Sequence, residues 1–126
     1  MFQKAIRKQA KLRLALAGPS GSGKTYTALR IAHALAPGGV IAVVDTERGS
    51  ASLYAGHTDP DDGVRFDFLV SEQADYSPAA FVRTIQEAAR AKVDVLILDS
   101  ITHAWDGVKD LADEGAKRKG GNTWAG

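Results

Sequence analysis

The sequence predicts an α/β fold: a mainly parallel sheet of about four strands, held as the middle of three layers between helices. Three observations carry this. Short apolar runs alternate with amphipathic stretches of helical period. Two of the runs, Val40–Val44 and Val93–Leu98, are almost continuously apolar, as strands covered on both faces are. The composition (126 residues, 44% hydrophobic and 25% charged) fits a single domain over residues 1–126. Connections in such a sheet are right-handed crossovers, and ligands bind at the carboxyl ends of the strands.

Each element has a local reason. Leu12–Ala17 reads as the first strand and stops at Gly18. Lys24–Ala36 reads as a helix with Ala28, Ile31, Ala32 and Leu35 on one face, ended by Pro37-Gly38-Gly39. Val40–Val44 is the second strand. A polar stretch follows, with a turn at Asp59-Pro60-Asp61-Asp62-Gly63. Arg65–Val70 is a shorter third strand. Ser77 is a good N-cap with Pro78 at the first helical position. That helix runs to about Ala91 and buries Val82, Ile85 and Ala89. Val93–Leu98 is the last strand, interrupted only by Asp94. Ala104 to about Lys119 is helical, with Trp105, Val108 and Ala112 on one side, until Gly120-Gly121-Asn122 breaks it. There is no internal repeat and no low-complexity tract.

Several classes are excluded. With no Cys there is no disulfide framework, thiolate metal site or cysteine nucleophile. This suits a reducing cytoplasm, the expected location. No window approaches ~18 uncharged apolar residues, so no membrane span is expected. A net charge of +1 argues for no particular partner. Lys4, Arg7, Lys8, Lys11 and Arg13 precede Gly18 with no acid among them. They read either as a solvated leader or as contacts to a phosphate backbone, and so does Lys117-Arg118-Lys119. The apolar run Leu14–Ala17 is too short for a signal-peptide core. His33, His57 and His103 are not spaced as a metal set.

Gly18-Pro19-Ser20-Gly21-Ser22-Gly23-Lys24-Thr25 matches G-x-x-x-x-G-K-[ST] between a strand and a helix. Glycines let the backbone turn so that successive N–H groups point at phosphate oxygens. The helix N-terminus adds partial positive charge. Lys24 supplies a compact charge for the β- and γ-phosphates, and the Thr25 hydroxyl a ligand for Mg²⁺. The adjoining Tyr26 is counted with the nucleotide-binding residues.

Val95-Leu96-Ile97-Leu98-Asp99 is an apolar strand ending in an acid, the Walker B pattern, whose carboxylate helps to fix Mg²⁺. Ser100 either bonds near the metal or starts a turn. Val43-Val44-Asp45-Thr46-Glu47 sets two more acids at a strand's carboxyl end. Glu47 is placed to polarise the attacking water, while Asp45 orients the loop. Glu72 and Asp75 compete for the role of base, and both acids of the Asp45–Glu47 run also read as solvated loop residues. His103, Trp105, Trp124 and Arg48 each have a plain surface or packing reading beside a functional one.

Together, Gly18–Thr25, Val43–Glu47, Leu53-Tyr54-Ala55 and Leu98-Asp99-Ser100 resemble the RecA-type ATPase core. The resemblance is closest to phage-encoded AAA-type nucleotide-binding proteins with a RecA-like core. Their Asp-Thr-Glu-Arg-Gly-Ser-Ala-Ser-Leu-Tyr run is similar to Asp45–Tyr54, and their segment after Walker B is similar to Ser100–Trp105. The resemblance spans about Leu12 to Gly126. It implies that Glu47 activates water. It places Tyr54 where an aromatic stacks on adenine, beside the alternative of a half-buried core tyrosine. It further implies ATP and Mg²⁺ as cofactors, a homo-oligomeric ring or filament, and work on single-stranded DNA in recombination or annealing. A core of that type continues into a fifth strand, a sensing residue and a DNA-contacting loop. The expectation is therefore an incomplete core, truncated at its C-terminal side.

Four functions compete. A recombination-type ATPase needs a water-orienting acid, which Glu47 supplies. A P-loop kinase transferring the γ-phosphate to a small acceptor needs an arginine-rich lid, and no such segment appears. A regulatory GTPase needs N-K-x-D, which is absent. A non-catalytic nucleotide-binding module is the fourth. The first is the expected function.

Overall fold

The computed structural model describes residues 1–5 and 11–118. Expectations for Lys119, Gly120-Gly121-Asn122 and Trp124, and for Arg7 and Lys8, lie outside them. The elements are α1 (Lys24–Leu35), β1 (Ile41–Asp45), a 3₁₀ turn (Ala51–Tyr54), β2 (Leu69–Glu72), α2 (Pro78–Arg90), β3 (Val95–Asp99) and α3 (Thr102–Arg118). The sheet is parallel throughout, in the order β2-β1-β3. The α/β architecture is the expected one, with three strands among the described residues.

β1 is central because its sequence suits the middle of a sheet. Ile41, Val43 and Val44 are β-branched. Val43 and Val44 point to opposite faces and are 1% and 2% exposed, so both faces of the strand are covered. On one face Val43 packs with Leu29 of α1, Ala51 and Phe66, with Ile97 of β3 against them. Asp94, the one polar break before β3, accepts from the Val40 amide at 2.7 Å and ties the strand starts together.

Three expectations need correction: the first strand, the start of the third and the buried face of α2. Leu12–Ala17 forms no strand; Leu12 and Leu14 are exposed. The run contains Leu, Ala and Arg but no β-branched or aromatic residue, so its intrinsic strand preference is weak. The third strand starts at Leu69 rather than Arg65. Phe66 instead donates to His57 O and accepts from the Gly56 amide, both at 2.8 Å, and Arg65 bridges Thr58 antiparallel. On α1 the buried residues are Leu29 and Ala32, while Leu35 is exposed. On α2 they are Ala80 and Phe81, while Val82 and Ile85 are exposed, and on α3 Trp105 and Val108 are exposed too. Periodicity finds an apolar stripe, but which stripe is buried depends on what packs there.

Candidate functional site

The Gly18–Gly23 loop is exposed and tight, with the Ser22 amide donating to Pro19 O at 3.2 Å. Gly21 and Gly23 have φ of 77° and 88°, a region that costs an L-residue about 1–2 kcal/mol. Gly23 caps α1, and the first helical bond runs from Thr27 N to Gly23 O at 2.9 Å. The amides of Lys24, Thr25 and Tyr26 therefore precede the helical ladder and have no partner within it. With the helix dipole behind them they form an anion cradle. Lys24 Nζ lies back over the loop, donating to Gly18 O at 2.5 Å and Pro19 O at 3.1 Å.

The Thr25 hydroxyl donates to Asp99 Oδ2 at 2.7 Å, joining the start of α1 to the end of β3. Parallel register sets Asp45 beside Asp99 and Glu72 beside Asp45. All three acids thus end neighbouring strands, with Glu72 one strand further from Thr25. Asp45 is 1% exposed; its two oxygens accept from the amides of Glu47 (2.7 Å) and Ala51 (3.2 Å). That carboxylate holds the loop after β1. Glu47 is exposed, and its Oε1 accepts from Ser100 Oγ at 3.2 Å, next to Asp99. Asp75 turns away to its own chain: it accepts from the Ser77 amide at 3.0 Å and lies 3.8 Å from Arg83. The Ser77 bond, more than the arginine, holds its pKa below the usual carboxylate value.

A family model described as an AAA domain matches residues 10–126. The chain belongs to the AAA domain family. AAA domains of this kind are P-loop ATPases that bind nucleotide, and the match takes in the phosphate loop, Glu47 and Asp99 together. No curated protein and no solved structure matches the chain. No helix among the described residues of this AAA domain is long and apolar enough to cross a membrane.

Thr46 lies between the two strand-end acids and is 3% exposed. Its amide donates to Asp99 O at 2.9 Å, and its hydroxyl accepts from the Ser100 amide at 3.0 Å. The hydroxyl hydrogen faces the carbonyls of Asp99 and Ser100, at 3.2 and 3.3 Å. Tyr76 donates to Thr46 O at 3.3 Å, and its ring stacks on His103 at 4.3 Å. Sequence reasoning gave Thr46 and Tyr76 no role, since nothing local marks residues whose partners lie across the sheet.

Tyr54 is half-buried and meets Tyr26 edge-on at 5.8 Å, in a cluster with His57 and Phe66. The Tyr26 hydroxyl donates to Asp59, so its side chain serves this cluster while its amide stays at the cradle. Asp59 has 0% exposure and is also met by Arg30 Nε at 3.3 Å and the Asp61 amide at 2.8 Å. The Tyr26 bond, foremost, holds the Asp59 pKa low despite burial; the same bond raises the Tyr26 phenol, and the Asp59 charge raises Arg30. His33 is structural: Nδ1 donates to Leu29 O at 2.7 Å and Nε2 accepts from the Asp67 amide at 3.3 Å.

The described residues contain no group of three His, Asp or Glu side chains placed to hold a metal by themselves. Mg²⁺ needs only one or two protein oxygens and completes its shell from phosphates and water. Thr25 Oγ1 and Asp99 are such a pair of hard oxygen donors.

Proposed function

We propose that this AAA domain binds ATP with Mg²⁺ and hydrolyses it by in-line attack of water on the γ-phosphate. The observation that carries the reading is the 2.7 Å bond between Thr25 and Asp99, with Glu47 held beside Ser100. The cradle amides at Gly21–Tyr26 bind phosphate oxygens, and Lys24 swings from the loop carbonyls to the β- and γ-phosphates. Thr25 and Asp99 would hold the metal. Bound Mg²⁺ supplies charge neutralisation on the phosphates. Glu47 orients the attacking water and accepts its proton. Tyr54 stacks its ring on adenine.

The finer reading rests on the resemblance to phage-encoded proteins. There the chain works as one nucleotide-binding domain of a homo-oligomer in the host cytoplasm, on single-stranded DNA during recombination or annealing.

The test is Mg²⁺-ATP hydrolysis with and without single-stranded DNA, alongside variants. Glu47→Gln should keep nucleotide binding and lower turnover by about 10²–10⁴-fold, the usual contribution of a general base. Lys24→Ala should lose binding. DNA stimulation that depends on Glu47 supports the recombination reading. Tight ATP binding with no turnover in either condition replaces it with a non-catalytic module. Normal turnover by Glu47→Gln removes Glu47 as the base.

A further inference from the structure

We infer that Thr46 is a positioning residue whose hydroxyl sets the spacing between the water-orienting Glu47 and the metal-binding Asp99; the inference rests on the hydrolysis proposed above. The paired register of β1 and β3 ends at Asp45 and Asp99. Past that point parallel strands have no further ladder to hold them and their chains diverge. Here the tie continues for one more residue. The Thr46 amide reaches Asp99 O at 2.9 Å, and the hydroxyl then bonds both sides of the next peptide, accepting from Ser100 N and facing the carbonyls of Asp99 and Ser100.

The residues on either side of this bridge carry the chemistry. Glu47 follows Thr46 directly, and Asp99 and Ser100 form the peptide it grips. The Glu47–Ser100 contact at 3.2 Å spans 53 residues of sequence and depends on that grip. The Asp45 carboxylate gives both its oxygens to the Glu47 and Ala51 amides of its own loop, so its side chain does not set the spacing. At 3% exposure, Thr46 has little access to water that could replace a lost bond. Tyr76, bonded to Thr46 O at 3.3 Å, steadies the same peptide from the α2 side.

Three proteins test this: wild type, Thr46→Val and Thr46→Ser. Valine keeps the shape and removes the hydroxyl; serine keeps the hydroxyl. Displacement of a reacting group by about 1 Å can cost roughly 100-fold in rate. Thr46→Val should therefore lose kcat on that order, with KM and the affinity for a fluorescent ATP analogue unchanged, and Thr46→Ser should recover most of the loss. A Thr46→Val enzyme with wild-type kcat overturns the inference. So does a Thr46→Ser enzyme as slow as Thr46→Val, or a fall in affinity matching the fall in kcat. If Thr46→Val does not fold, Thr46→Cys against Thr46→Ser makes the same comparison, because a thiol is a weak hydrogen-bonding group.

If the wild type binds ATP but never turns it over, the hydrolysis reading fails on its own. The inference is then decided by the positions of Glu47 and Asp99 in crystal structures of the three proteins. Thr46→Val should widen their separation by about 1 Å and Thr46→Ser keep it. Equal separations in all three proteins overturn it.

Discussion

Asp59 has no exposed surface, yet its pKa lies below the usual carboxylate value because Tyr26, the Asp61 amide and Arg30 all favour the charged form. The sign of its effect on stability follows. A carboxylate with a lowered folded pKa stabilises the fold above its unfolded value, about 3.9, and loses that contribution as pH falls through the folded value. Tyr26→Phe removes the largest of the three causes. Circular dichroism during acid titration should show its unfolding midpoint moved to higher pH, with Tm at neutral pH lowered as well; an unmoved midpoint would disprove this role for the hydroxyl. The same residues mark the limit of reading single positions from sequence. Gly18–Thr25, Glu47 and Asp99 stand out because phosphate and metal chemistry demands those types at those spacings. Thr46 and Asp59 do not, since their partners, Ser100 and Tyr26, are distant in sequence and only the fold brings them together.

Elements were legible where a local signal decides them. Ser77 and Pro78 announce α2, and the Ser77 side chain does accept from the Ala80 amide at 3.2 Å. Ser77→Ala should cost about 1 kcal/mol in urea unfolding, and Ser77→Asp should cost little; equal stability of the alanine variant would show that Pro78 alone starts the helix. β1 and β3 were placed to within a residue or two because β-branched apolar runs have few other uses. Leu12–Ala17 looked similar by hydrophobicity but lacks those residue types. The buried face of α2 is not legible because apolar residues surround more than half of the helix: Ala80 and Phe81 are buried, while Val82, and Ile85 four residues on from Phe81, are exposed. Helical period alone cannot choose between them.

Across the whole molecule, apolar surface is left uncovered on more than one element. Ile101, just before α3, and Trp105 and Val108 within it, spaced as one helical face, are 57%, 56% and 44% exposed. Soluble monomers seldom leave such stripes without use. The native protein should bind the dye ANS at neutral pH, and Trp105→Gln with Val108→Gln should bind less. Native protein that leaves the dye dark would show that this face is covered in solution. The bond from Thr25 to Asp99 reaches across 74 residues. A loop of that length closes only when α1, β1 and β3 are all docked, so no early or partial structure can grip a ligand at both ends. Nucleotide bound as proposed would then reward only the finished fold, by RT ln(1 + [L]/Kd), or about 2.7 kcal/mol at a hundred times Kd. The ligand acts as a late-arriving staple, and in a nucleotide-rich cell the occupied chain would outlast the empty one against heat and proteases.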